Sequence, residues 1–158
     1  MKLIFSFITA FMLFFQSGIE SLRESYAKAN ASNANTEAFI NTAEKSSGSD
    51  AVIQGYKAAA KIMEAKIAKQ NRKALVKSGA TSLESIIKSN PNNIELRVIR
   101  MSVQENIPKI VGYRGSLKDD KAFILNNYSK QNSALKNYIK KFAVQSKTMT
   151  EAEKASFK

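Results

Sequence analysis

The segment from Ile94 to Asn106 constrains the fold more strongly than any other part of the chain. On a helical wheel its apolar residues fall on two roughly opposite stripes. One stripe consists of Leu96, Ile99, Val103 and Ile107, and the other of Ile94, Val98 and Met101. A surface helix buries only one face, so a helix that is apolar on two sides must be sandwiched between other elements. The chain therefore needs several packed elements around this helix.

The remaining sequence has the patterning of helices. Only 6 Gly and 2 Pro occur in 158 residues, and no segment alternates apolar and polar side chains as a strand does. Apolar spacing and capping residues predict helices over 19–30, 36–45, 50–69, 71–90, 94–106 and 118–130, and a seventh that Ser133 caps. The fourth helix is expected to break near Gly79.

We predict an all-α fold, either an antiparallel helix bundle or a short stack of helix pairs. Residues 19–147 form a single helical domain in this interpretation, because the length suits one core. A polar C-terminal tail, residues 148–158, follows with a capping box formed by Thr148 and Glu151, and is expected to fray.

An apolar run near the N-terminus predicts export. The run Leu3–Phe15 is thirteen residues long, follows Lys2 and precedes the small pair Ser17-Gly18. A bilayer span needs about 20 apolar residues, so this run is too short to cross comfortably and is typical of a signal peptide. We expect residues 1–18 to be removed and the mature chain to be periplasmic or secreted, with no stable membrane span. An uncleaved anchor is the alternative.

The composition excludes most enzyme chemistry. The sequence has no His and no Cys, which removes imidazole general bases, thiolate nucleophiles and the usual zinc ligands. The adjacent acids Asp119 and Asp120 lie where a helix begins, and the helix dipole explains them there. No glycine-rich loop suited to phosphate is present. We predict that the protein is not an enzyme and uses no metal and no cofactor.

The chain is strongly basic. It has 25 Lys and Arg against 13 Asp and Glu, a net charge of +12. Most of the basic residues are Lys, and they are spread from Lys28 to Lys158 rather than interleaved with aromatic residues as in nucleic-acid-binding proteins. This pattern favours a solvated basic surface and makes nucleic acid an improbable partner. The alternative is a Lys-rich binder of envelope polyanions.

The polar residues of the sandwiched helix are the candidate site. Arg97, Arg100 and Gln104 share the face between the two apolar stripes, and Glu105 lies within the second stripe. Because guanidinium groups bind carboxylates bidentately, this face is a candidate groove for a carboxylate-bearing peptide or partner, together with Tyr113 in the loop that follows. The alternative is an internal polar network that locks neighbouring helices to that loop.

Glu105 carries a specific expectation. A buried carboxylate without a partner costs several kcal/mol, so an Arg or Lys from another element should meet it. On this basis Glu105→Gln is expected to destabilise the fold more than Arg97→Gln or Arg100→Gln.

Two resemblances accompany these patterns. The first is carried by Leu83, Ile86, Ile87 and the run Asn90-Pro91-Asn92-Asn93. This junction is similar to the end of a tetratricopeptide repeat, where one helix closes before Pro and the next repeat opens. No 34-residue period recurs, so the similarity extends to one degenerate helix pair.

The second resemblance covers about a fifth of the chain. Its residues are Pro91-Asn92-Asn93, Glu95-Leu96-Arg97, Arg100, Gln104-Glu105-Asn106, Pro108, Gly112-Tyr113, Asp120-Lys121 and Phe123-Ile124. The pattern resembles a group of uncharacterised exported Bacteroidetes proteins. The resemblance implies an exported all-helical protein and brings no known activity. We predict a non-catalytic module that binds another envelope protein or a peptide, with its oligomeric state left open.

Overall fold

The computed structural model describes residues 18–157, which form eight α-helices and no strand. Helix α1 covers residues 18–28. The others are α2 Asn33–Lys45, α3 Ala51–Ile67, α4 Arg72–Ser89, α5 Ile94–Asn106, α6 Leu117–Asn127, α7 Ser133–Gln145 and α8 Glu151–Ala155. Short 3-10 turns lie at Lys109–Val111 and Tyr128–Lys130. The all-α prediction is confirmed, whereas the predicted signal peptide lies almost entirely outside the described residues.

Helix α5 lies at the centre of the packed helices. Its apolar stripes are both buried, with Leu96, Val98, Ile99 and Met101 fully enclosed. Helices α3, α6 and α7 all pack on it, and α1 joins them where the Tyr26 hydroxyl donates to the Ile99 carbonyl at 3.1 Å. The expectation of a sandwiched helix is therefore correct.

Helices α3 and α4 form a tightly packed antiparallel hairpin. The closest approach is at Gly79, where a Cβ atom would lie 2.7 Å from the Ala58 carbonyl oxygen and 2.9 Å from the Ile62 nitrogen. The sequence predicted a break at this glycine, and that prediction is wrong because α4 is continuous through it. Gly79 serves instead to let the two backbones touch.

Side-chain caps fix where several helices begin. Ser32, Asp50, Asn93 and Asn132 each accept a hydrogen bond from a backbone N–H in the first turn of α2, α3, α5 and α7. These bonds satisfy N–H groups that have no partner within the helix. The cap of α7 is therefore Asn132, one residue before the predicted Ser133.

The C-terminal segment differs from the expected frayed tail. The capping box is formed by Thr150 and Glu153, two residues beyond the predicted pair. Phe157 is buried and its ring meets that of Tyr128 edge to face, with centroids 4.8 Å apart. An aromatic contact of this kind fixes the segment on the domain.

None of the helices in the described part of the chain is both long enough and apolar enough to cross a membrane.

Candidate functional site

Arg100 is the centre of a buried ion-pair network. Its guanidinium donates to both carboxylate oxygens of Asp120, at 2.7 Å from Nε and 2.6 Å from Nη2. The remaining Nη1 donates to Glu84 at 2.5 Å. Arg100 is 5% exposed and Asp120 is 0% exposed. The three residues lie on α5, α6 and α4, so the network ties these helices together.

Arg97 and Tyr113 complete this network. The Arg97 Nη1 lies 3.3 Å from an Asp120 oxygen and its Nη2 donates to the Pro91 carbonyl at 3.1 Å. Its Nε is buried without a hydrogen-bond partner among the described residues. The Tyr113 hydroxyl donates to Glu84 at 2.6 Å. The arginines are thus occupied by carboxylates of the same chain.

The environment of the network stabilises the protonated forms of Arg100 and Tyr113. Burial lowers the pKa of Arg100, but the hydrogen bonds and charges of Asp120 and Glu84 outweigh it and raise the pKa above its usual value. Burial, followed by the hydrogen bond to Glu84, raises the pKa of the Tyr113 hydroxyl. Arg100 therefore stays cationic and Tyr113 stays protonated near neutral pH.

Gln104 lies beside Tyr113 at the edge of this network, whereas Glu105 belongs to other surroundings. The Gln104 side-chain oxygen accepts from the backbone N–H of Ser116 at 3.1 Å, which anchors the start of α6. Glu105 accepts from the Ser146 hydroxyl at 2.5 Å and from the Thr148 backbone N–H at 2.9 Å. The expected Arg or Lys partner of Glu105 is not found among the described residues. Neutral donors from the segment after α7 satisfy this carboxylate instead.

The structure thus brings together four of the five predicted residues, Arg97, Arg100, Gln104 and Tyr113, and separates Glu105 from them. Glu84 and Asp120, which were not predicted as part of the site, connect the arginines and Tyr113. Because both acids take up the guanidinium groups, the arrangement corresponds to the internal network rather than to an open carboxylate-binding groove.

A second buried ion pair was not anticipated. Arg23 of α1 holds both oxygens of Glu95, at 2.8 Å from Nε and 2.7 Å from Nη2. The Tyr56 hydroxyl of α3 donates to the same carboxylate at 2.8 Å. In the sequence Glu95 resembles an ordinary acid in a first helical turn, and only the two apolar stripes around it indicate burial. This pair joins α1 and α3 to α5.

A large concave surface lies elsewhere, between α4 and α5. We call it the α4–α5 groove, a cavity of about 1030 Å³ along the first half of α4, the end of α3, the end of α5 and the turn Lys109–Val111. Its apolar lining includes Ile62, Met63, Val76, Ala80, Val103, Ile107 and Ile110. Ile110 is 96% exposed. Tyr113 also lines it, so the buried network positions one wall of the groove.

The charged residues that line the groove are all cations. They are Lys66, Arg72, Lys73 and Lys77. No carboxylate of the described residues lies within ion-pair distance of any of the four. Lys66 and Arg72 donate only to backbone carbonyl oxygens. The groove therefore combines an apolar floor with uncompensated positive charge.

Sequence reasoning missed this groove because its walls come from separate helices. The available signal was the pair Ile110 and Val111, two adjacent large apolar residues in a loop, which the structure leaves exposed. Among the described residues no group of acidic side chains is arranged to hold a metal ion.

Comparison of the chain with known protein families, curated proteins and solved structures finds no match. The class that the fold itself defines is a helical bundle organised around a central helix that is buried along most of its length.

Proposed function

We propose that this protein is an exported, non-catalytic binding module whose α4–α5 groove holds an apolar segment of another protein. The observation that carries the proposal is the groove itself, because two large apolar side chains at its edge, Ile110 and Val111, are exposed beside a concave apolar lining. Its volume of about 1030 Å³ lies at the upper end of the range for ligand sites. Exposed apolar surface of this kind marks binding sites in soluble proteins.

The residues in and around the groove support binding rather than catalysis. Its described lining contains no carboxylate, Ser or Thr, and hence no nucleophile or general base beyond Lys and Tyr side chains. The carboxylates of the neighbouring network, Glu84 and Asp120, are already paired with Arg100. A ligand seated in the groove meets apolar surface and fixed positive charge.

Binding of an envelope polyanion is the second candidate. The four unpaired cations of the groove favour it, since polyanions bind through such charges and lose affinity steeply with salt. A polyanion would leave the apolar side chains of Ile110 and Val111 exposed, however, and a protein segment with apolar side chains would cover them. For this reason we favour the protein segment.

Site-specific photocrosslinking tests the proposal. A photoreactive amino acid replaces Ile110 in the groove, and in a matched variant it replaces Val144, an apolar residue of α7 that is 63% exposed. With the purified variants in envelope extract, we expect adducts to a few defined proteins from position 110 only, retained at high salt. Equal adducts from both positions would contradict groove binding. Capture of anionic polymer alone, lost as salt increases, would favour the second candidate.

A further inference from the structure

The groove has the shape of a missing helix. Both α4 and α5 pack on α3, yet apart from the Arg100–Glu84 ion pair they have little direct contact with each other. Val76 and Ala80 of α4 line the groove together with Val103 of α5 and Ile107, which directly follows α5. Two helices that flank a third at ordinary packing distance leave room for a fourth between them.

The size of the groove agrees with this shape. A helix about 10 Å in diameter, rising 1.5 Å per residue, fills roughly 120 Å³ per residue. A groove of about 1030 Å³ therefore has room for at least two turns of helix. The part of α4 that lines it, from Arg72 to Ala80, also spans more than two turns.

The charges of the groove indicate which charged residues the polar face of such a helix carries. Lys66 lies at the end of α3, and Arg72, Lys73 and Lys77 lie on the first turns of α4. The beginning of α4 has no acidic residue in its first turn and no side-chain cap, so the partial positive charge of its dipole adds to these cations. Carboxylates on the ligand are the complementary groups.

Resting on the proposed function, we infer that the occupant of the α4–α5 groove is an amphipathic α-helix of a partner protein, with acidic residues beside its apolar face. The apolar face packs on the half-buried Val76 and buries the exposed side chains of Ile110 and Val111. The acidic residues pair with Lys73 and Lys77 along one edge and with Lys66 at the end of α3.

Synthetic peptides provide the probe. The first peptide has about fifteen residues, apolar side chains at helical spacing and Glu at the flanking positions. A second has Lys in place of Glu, a third has the same composition as the first in scrambled order, and a fourth carries a central Pro that prevents a continuous helix. Binding to the full chain is measured by fluorescence anisotropy. We expect the first peptide to bind at least about ten times more tightly than each of the others.

Protein variants locate the binding. Ile110→Ser and the double variant Lys73→Glu/Lys77→Glu are each expected to weaken binding of the first peptide about ten-fold or more. Their matched controls, Val144→Ser and Lys140→Glu/Lys141→Glu on α7, are expected to leave it unchanged. All six positions are exposed: four carry charged lysine side chains, and Ile110 and Val144 are exposed apolar residues. The variants are therefore expected to fold, and circular dichroism checks this.

The outcomes separate this inference from the proposed function. Equal binding of the scrambled acidic peptide, or of the Lys peptide, would overturn the acidic-helix ligand. The fatty-acid anion laurate is tested as an alternative ligand. If the first peptide does not bind, while laurate binds and loses affinity in the Ile110 and Lys73/Lys77 variants, the inference of a helical ligand is overturned. If the peptides fail while the photocrosslinker at position 110 still captures envelope proteins, the groove binds protein of different chemistry and only the present inference falls.

Discussion

The carboxylate of Asp120 has no access to solvent and is paired with two arginines of α5, Arg97 and Arg100. Replacing Arg100 by Gln leaves this buried carboxylate with only the longer contact to Arg97. Breaking a buried pair by removing one partner costs about 3–5 kcal/mol, and we expect a loss of this size in the free energy of unfolding for Arg100→Gln. Urea denaturation provides the measurement.

The matched control is Lys61→Gln, because Lys61 forms an exposed ion pair with Glu64. Pairs of this kind contribute about 0–1 kcal/mol. Similar denaturation midpoints for Arg100→Gln and Lys61→Gln would show that the network of Asp120 does not stabilise the fold.

For Glu105 the sequence predicted burial correctly but not the hydrogen-bond partners. The helical wheel correctly placed this acid on a buried stripe, but it predicted a cationic partner. The donors are the hydroxyl of Ser146 and a backbone N–H at Thr148, which lie 41 and 43 residues away. Apolar spacing along a helix indicates burial, whereas it contains no information on which distant segment supplies the donors. Because these donors are neutral and Gln keeps an acceptor oxygen, Glu105→Gln should now be the milder change compared with Arg100→Gln.

Gly79 shows how a single residue sets the distance between elements. Gly→Ala within a helix normally stabilises it by about 1 kcal/mol. At Gly79 the added Cβ would lie 2.7 Å from a backbone oxygen of α3, and backbone cannot move aside as a side chain can. We therefore expect Gly79→Ala to lower the urea midpoint. Gly115→Ala is the control, because nothing lies within 4 Å of the added atom there. Equal midpoints for the two variants would mean that α3 and α4 separate without cost.

At the scale of helices the apolar pattern was a good guide. It gave α5 with its observed bounds, Ile94–Asn106, because two buried stripes and flanking Asn and Pro residues mark it clearly. It did not give the α4–α5 groove. A groove depends on how far apart helices lie once they have packed, and the close contact at Gly79 draws α4 towards α3. The sequence shows such a glycine only as a weak point in a helix.

The charge of the whole molecule is divided between interior and surface. Glu84, Glu95 and Asp120 form ion pairs with arginines. The arginine paired with Glu95 lies 72 residues away in the sequence, and the arginine that binds both oxygens of Asp120 lies 20 residues away. The net charge of +12 was evident from composition, but the pairings were not. Once they are made, the groove retains cations with no internal acid opposite them, and this is the part of the charge that a ligand can use.

The same interior makes the stability of the molecule depend on pH at the alkaline end. Burial raises the pKa of Tyr26, Tyr56, Tyr113 and Tyr138, and nearby carboxylates add to this at all four. These hydroxyls ionise near pH 10 in an unfolded chain, so the folded state favours their neutral form. The stabilisation is complete below about pH 10 and is lost as the pH rises above that value towards the folded-state pKa.

We therefore expect tyrosinate absorbance from four of the five tyrosines to appear only as the helices unfold, whereas all five ionise together near pH 10 in urea. Tyrosinate absorbance and the helical circular dichroism signal, followed in one alkaline titration, provide the measurement. Tyr56→Phe tests whether burial causes the late ionisation, since it removes one buried hydroxyl and its hydrogen bond to Glu95. In this variant three tyrosines instead of four are expected to ionise only on unfolding. If four or five tyrosines ionise near pH 10 while the circular dichroism signal is unchanged, the hydroxyls are accessible to water and the packing around α5 is looser than described.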